Sequence, residues 1–126
     1  MSKFFALAAA LMPLAALAPF APAYAGGPIE SYNARLSAQD HYNSSGQRLT
    51  NVAAIIRQDR AYYHRFGRGD PEDQGDRFFA SASNRARLES LIARGQIARG
   101  AAAAIINGTP LIHVDIYPDY INVTVY

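Results

Sequence analysis

Two runs of strict alternation near the C-terminus place the first constraint on the fold. Ile112, Val114 and Ile116 alternate with Leu111, His113, Asp115 and Tyr117. Ile121, Val123 and Val125 alternate with Asn122, Thr124 and Tyr126. A side-chain period of two belongs to strands, and Pro118-Asp119 between the runs is turn chemistry. The pattern predicts an antiparallel hairpin with one apolar face. A lone hairpin is marginal in water, so the rest of the chain must supply a layer to cover that face.

What precedes it reads as helical. From Thr50 as N-cap to Phe66, with Gly67 just past the end, Val52, Ile55, Ile56, Tyr62, Tyr63 and Phe66 fall on one side at helical spacing. Arg57, Arg60 and His64 are assigned to the other side. Ser37-Ala38-Gln39-Asp40 has the form of a capping box opening a short helix, which Asn43-Ser44-Ser45-Gly46 ends. Asp70-Pro71-Glu72-Asp73 reads as a further helix start containing Phe78 and Phe79. A break at Ser81–Asn84 precedes a helix through Leu88, Leu91 and Ile92 to Gly95. Ala101–Ile106 is assigned to helix, and Gly26–Ser31 to a flexible start. The expected fold is α+β: three to four helices followed by a C-terminal β-hairpin packed on them.

The front of the chain reads differently. Lys3, the apolar run Phe4–Leu17 and the small-x-small pattern Ala23-Tyr24-Ala25 make residues 1–25 an expected signal peptide. Pro13, Pro19 and Pro22 interrupt the stretch that a membrane span would need. The expected domain is therefore 26–126, with a periplasmic or extracellular address. The chain has no cysteine, so packing alone must stabilise it.

No catalytic, metal or cofactor motif emerges. His41, His64 and His113 lack metal-ligand spacing, and no Gly-x-Ser-x-Gly elbow or thiol nucleophile exists. Asp70–Ser81 echoes a calcium loop but has Ser81 where a bidentate Glu is required. The full chain carries 12 Lys plus Arg against 10 Asp plus Glu, too balanced to point to nucleic acid. The residues singled out for binding are Arg57, Arg60 and His64, as a basic stripe, together with Tyr117 and Tyr126, as contacts for a protein or an anionic envelope polymer. The preferred expectation is an exported, non-enzymatic binding module. The alternatives are a small hydrolase using a His/Asp pair, and a structural protein that self-associates through the hairpin edge. Asp59 falls at the centre of the apolar helix face. It is expected to be a structural, ionised carboxylate with a depressed pKa, held by an Arg or by backbone N–H groups, with the loop Asn43–Arg48 as the candidate partner.

The signal-peptide reading predicts that the exported protein begins at Gly26. Intact mass spectrometry checks this, and residues 1–25 retained in a membrane fraction would refute it.

Overall fold

The computed structural model describes residues 26–126; the expected signal peptide lies outside them. The hairpin forms as the alternation requires. β2 (Leu111–Ile116) pairs antiparallel with β3 (Ile121–Val125), aligning Ile112 with Val125, Val114 with Val123 and Ile116 with Ile121. The turn closes through Tyr117 N–H donating to Tyr120 O at 2.9 Å.

A third strand completes the sheet. β1 (Glu30–Arg35) pairs antiparallel with β2 from Glu30↔Ile116 to Arg35↔Leu111, so the strand order is β1-β2-β3. This corrects the flexible start expected at Gly26–Ser31. Tyr32, Ala34 and Leu36 are fully buried; they occupy every second position, but Ser31, Asn33 and Arg35 between them are polar. The sheet is thus closed between the two ends of the described chain, with all the helices inserted between β1 and β2.

The helices cover one face. α1 (Val52–Phe66) is capped by Asn51, whose Oδ1 accepts from Ala54 N–H at 2.8 Å, one residue later than the expected Thr50. It ends at Gly67, which adopts the left-handed conformation at φ 64° that glycine tolerates best. A short 3-10 turn, Ala38–His41, precedes α1. Asp40 takes the Ser37 N–H at 2.9 Å there, the return arm of the expected capping box. A second 3-10 turn, Phe78–Ala80, leads to α2 (Ala82–Ala86), α3 (Leu88–Arg94) and α4 (Ala101–Asn107). The break falls at Ser81, whose side chain caps α2 through Asn84 N–H.

No helix starts at Asp70. Residues 67–77 form an irregular strap along the outer edge of β1. The capping signals there are spent on tertiary partners instead. Asp73 accepts from Arg35 N–H at 2.7 Å, Glu72 pairs with the Arg35 guanidinium at 2.8 Å, and Gln74 exchanges bonds with the Asn33 backbone. Glu30 in turn accepts from the N–H groups of Arg77 and Phe78, both at 2.8 Å.

Both sheet edges are therefore engaged. On β3, Val123 N–H donates to Gln96 O and Val123 O accepts from Ala98 N–H, each at 2.9 Å. The hairpin edge offered for self-association has its central residue already paired with the chain itself. Among the described residues no helix is long and apolar enough to cross a membrane.

The β3 edge is sealed by a close approach at Gly95, where an added Cβ would lie 1.8 Å from Ile121 O. Gly95→Ala must push the two segments apart. It is expected to cost about 2 kcal/mol or more, since overpacking a tight contact costs ~1–3 kcal/mol. Thermal melting checks this; a variant that melts with wild type would mean that the edge is loosely held.

Candidate functional site

The buried stripe of α1 is Val52, Ile55, Ile56, Asp59 and Arg60, the i, i+3, i+4 pattern of one helix face. Arg60 lies four residues after Ile56 and points into the core. It is fully buried, not part of an exposed stripe. Tyr62 and Phe66, expected on the apolar side, flank the core, and Phe66 is half exposed.

Arg60 is held by charge and by aromatic faces. Its Nε donates to Asp59 Oδ2 at 3.0 Å, and its Nη1 donates to Asp76 Oδ1 at 2.8 Å and Gln74 O at 3.0 Å. The guanidinium carbon lies 4.1 Å from the Tyr32 ring centroid and 4.5 Å from that of Tyr63. Asp76 also bonds His64 Nε2 at 2.8 Å and accepts from Phe79 N–H at 2.5 Å. Its carboxylate joins α1, the strap and the second 3-10 turn. Strap glycines make room for this: a Cβ at Gly69 or Gly75 would lie 2.8 Å or 2.9 Å from the Tyr63 side chain. The Tyr32 hydroxyl and Arg60 Nη2 are buried without a hydrogen-bond partner.

Asp59 is buried, as its position on the helix requires. Its partner, however, is the adjacent Arg60 and not the Asn43–Arg48 loop. The expected direction of its pKa is also reversed. Burial pushes it well above the ordinary carboxylate value, outweighing Arg60, and the nearby Asp40 and Asp73 charges add to the rise. Burial likewise raises Asp40 to about 6 against the lowering effect of its Ser37 hydrogen bonds. A lone counter-charge does not compensate several buried carboxylates, because desolvation exceeds the Coulomb gain.

The histidines do not converge. His41 is buried, with Nδ1 2.9 Å from Ser37 O and Nε2 2.7 Å from Ile105 O. His64 belongs to the Arg60 cluster. His113 lies on the outer face of the sheet, in a row that sequence reasoning missed. There Ser31 Oγ donates to Asp115 Oδ1 at 2.6 Å, and Asp115 Oδ1 meets His113 Nε2 at 2.9 Å. His113 Nδ1 lies 2.7 Å from Asn33 Oδ1, which also accepts from Tyr126 OH at 3.0 Å. This is not the order of a nucleophile and its base. The serine hydroxyl faces the carboxylate, and both imidazole nitrogens are engaged. The row depends on the β1–β2 register, which local patterns do not reveal.

The remaining nominated residues fall in two places. Tyr117 stacks on Tyr120 at 4.5 Å beside the hairpin turn, and Tyr126 is 71% exposed at the other end of β3. Arg57 is exposed in an open groove of about 570 Å³ between α1 and the α2–α3 pair. Arg65, Arg85 and Phe66 also line it, with Ala53, Ala54, Ala61, Ala82 and Ala86 between them and Glu89 as its single acid. Arg85 is tied to the carbonyls of Phe79 and Ala80. Arg57 and Arg65 form no ion pair among the described residues. Of the expected stripe, then, only Arg57 is available to a ligand.

Searched against protein-family models, curated proteins and solved structures, the chain matches none.

Raised carboxylate pKa values fix a sign. The folded state holds the Asp59 proton more tightly than the unfolded chain, whose Asp value is ~3.9. This contribution to stability is present below that value and is lost as pH rises through the folded pKa. The melting temperature of wild type is expected to fall further from pH 4 to pH 7 than that of Asp59→Asn, which has no proton to lose. Equal slopes for the two proteins in calorimetry would show that Asp59 is ionised throughout.

Proposed function

We propose that this is an exported binding module that takes an anionic polymer of the cell envelope or its surroundings into the α1/α2–α3 groove. The single observation that carries the reading is the pair of guanidiniums without an ion pair, Arg57 and Arg65, in the groove between α1 and the α2–α3 pair. Two arginines outside the groove are matched within the fold, while Arg68, Arg77 and Arg99 are exposed and, like the groove pair, form no ion pair among the described residues. Arg60 is ringed by Asp59 and Asp76, and Arg35 is matched by Glu72. In the groove Glu89 is the only acid, and neither guanidinium is matched.

Guanidiniums are suited to phosphate and carboxylate oxygens through their fork of donors. Alanines between them leave the groove wide enough for a chain to lie along it. Arg65 and Arg68 both sit near the Phe66 ring, with centroid distances of 5.1 Å and 5.9 Å, and extend the cationic line past the C-terminal end of α1. The periplasmic or extracellular address that the first 25 residues suggest is part of this proposal. It would place the groove where acidic polysaccharides and phosphate-bearing polymers occur.

The test is binding of inorganic polyphosphate by the purified protein, followed by calorimetry across a salt series. Binding that weakens steadily with salt is expected. Arg57→Gln combined with Arg65→Gln should lower affinity about tenfold or more, a loss of ~1.4 kcal/mol per tenfold. Melting should change by less than ~0.5 kcal/mol, because both residues are exposed. A double variant that binds as wild type does would reduce these arginines to a solvated helix face.

A further inference from the structure

The groove has one wall that is fastened in an unusual way. Ser44, Leu49 and Asn51 line it, and all three follow the 3-10 turn Ala38–His41. That turn is fixed to α4 by His41, only 4% exposed. Its Nδ1 lies 2.9 Å from Ser37 O and its Nε2 lies 2.7 Å from Ile105 O in α4. Backbone carbonyl oxygens only accept hydrogen bonds, and a neutral imidazole has a single N–H. Both contacts are hydrogen bonds only when both ring nitrogens carry protons. A neutral ring leaves a lone pair facing a buried carbonyl oxygen at under 3 Å, an unmade bond in a dry setting.

We propose that His41 is a proton-operated clasp on the groove wall: as imidazolium it ties the 3-10 turn to α4, and on losing a proton it releases the segment that follows. The segment is coupled to His41 through the backbone as well, since Leu49 N–H donates to His41 O at 2.7 Å. This inference rests on the groove being the binding site, and it supplies that site with a regulation: closed and ordered in acid, loosened in alkali. Imidazole is the side chain that ordinarily changes charge between pH ~5 and 8.

The charged neighbours influence how tightly the proton is held, but none of them replaces the lost donor. On the turn itself is Asp40, 1% exposed, whose carboxylate accepts from the Ser37 N–H and Oγ and, once ionised, favours the imidazolium. From α1, packed against the turn, come Asp59 and Arg60. The strap contributes Asp70 and Asp73, whose charges act on Asp40. The following loop brings Tyr42 and Arg48, and Arg48 Nη2 donates to Ile106 O at 2.7 Å whatever the pH. Between Ala101 and Asn107, α4 has no titratable side chain. Proton loss at His41 therefore meets no group that would replace the lost donor, while Arg48 remains as the residual tether.

The experiment is nitrogen-15 NMR of the wild-type protein with amide hydrogen exchange at pH 5 and pH 8. At pH 5 both His41 ring nitrogens are expected to be protonated. Corrected for intrinsic exchange, protection of residues 38–49 should drop about tenfold or more by pH 8, while the Ile55–Arg60 amides stay protected. A neutral His41 ring at pH 5, or unchanged protection of 38–49, overturns the clasp, and neither reading depends on a variant that must fold. His41→Gln, whose amide donors share one nitrogen and do not titrate, should show the same protection at both pH values. Polyphosphate affinity should fall more from pH 5 to pH 8 in wild type than in His41→Gln, and an equal fall detaches the clasp from the groove. If no polyphosphate binds at any pH, the groove reading fails while the NMR result still decides the clasp.

Discussion

A buried arginine organises this domain. Arg60 joins the middle of α1 to the strap through Asp76 and Gln74, and its flat faces lie against Tyr32 of β1 and Tyr63 of its own helix. Helix, strap and sheet thus meet at a single guanidinium. Chains of this size without disulfides have little apolar core to spare, and here the ionic cluster substitutes for part of it. Such clusters fix geometry more than they add net stability. Removing one partner typically costs ~3–5 kcal/mol, because the others stay buried and unmatched. With total stabilities near ~5–15 kcal/mol, the arrangement leaves the domain dependent on one side chain.

The strap follows from that centre. It has little hydrophobic content and no regular structure, yet it makes bonds on both sides: Asp76 inward to Arg60 and His64, Asp73 and Gln74 outward to the β1 backbone. β1 is consequently an edge strand with its outer groups at Asn33 and Arg35 occupied, a form of edge protection. At the opposite edge Gln96–Ala98 does the same for β3. The chain itself occupies outer groups of both edge strands, at Asn33 and Arg35 on β1 and at Val123 on β3.

Much of this was legible in the sequence wherever partners are near in the chain. The C-terminal hairpin, the 3-10 capping box, the break at Ser81 and the extent of α1 all depend on contacts within a few residues, and periodicity reports those directly. Asp59 was placed correctly for the same reason. Arg60 was not, although it lies at i+4 from Ile56 in the same register. Its charge argued for solvent, and the acids that make it tolerable inside include Asp76, sixteen residues on. β1 was hidden because half its side chains are polar and its partner strand begins about eighty residues later. Asp70–Asp73 carries every local sign of a helix start, yet Arg35 and the β1 amides outcompete the helix for those carboxylates. Local preference yields to tertiary pairing when the competing bonds are charge-assisted.

The split between inward and outward arginines is what makes a function arguable at all. A guanidinium is costly to bury and usually solvated, so cations placed inside have to be explained by structure. Arg60 is explained by its acids, and Arg85 by the carbonyls of Phe79 and Ala80 at the end of a 3-10 turn. Arg35 is closed off by Glu72 and Thr109 O. Arg57 and Arg65 have no such account, nor do the exposed Arg68, Arg77 and Arg99, but of these five only Arg57 and Arg65 line the groove. They stand eight residues apart on one helix, on the same side at about 100° per residue, and face a concavity with a single acid. A surface designed by stability alone would have matched them with Asp or Glu at i±4; within α1 the residue four before Arg57 is Ala53 and the residue four before Arg65 is Ala61. The small alanines at those positions leave the guanidiniums without an acid at that spacing and the groove open between them.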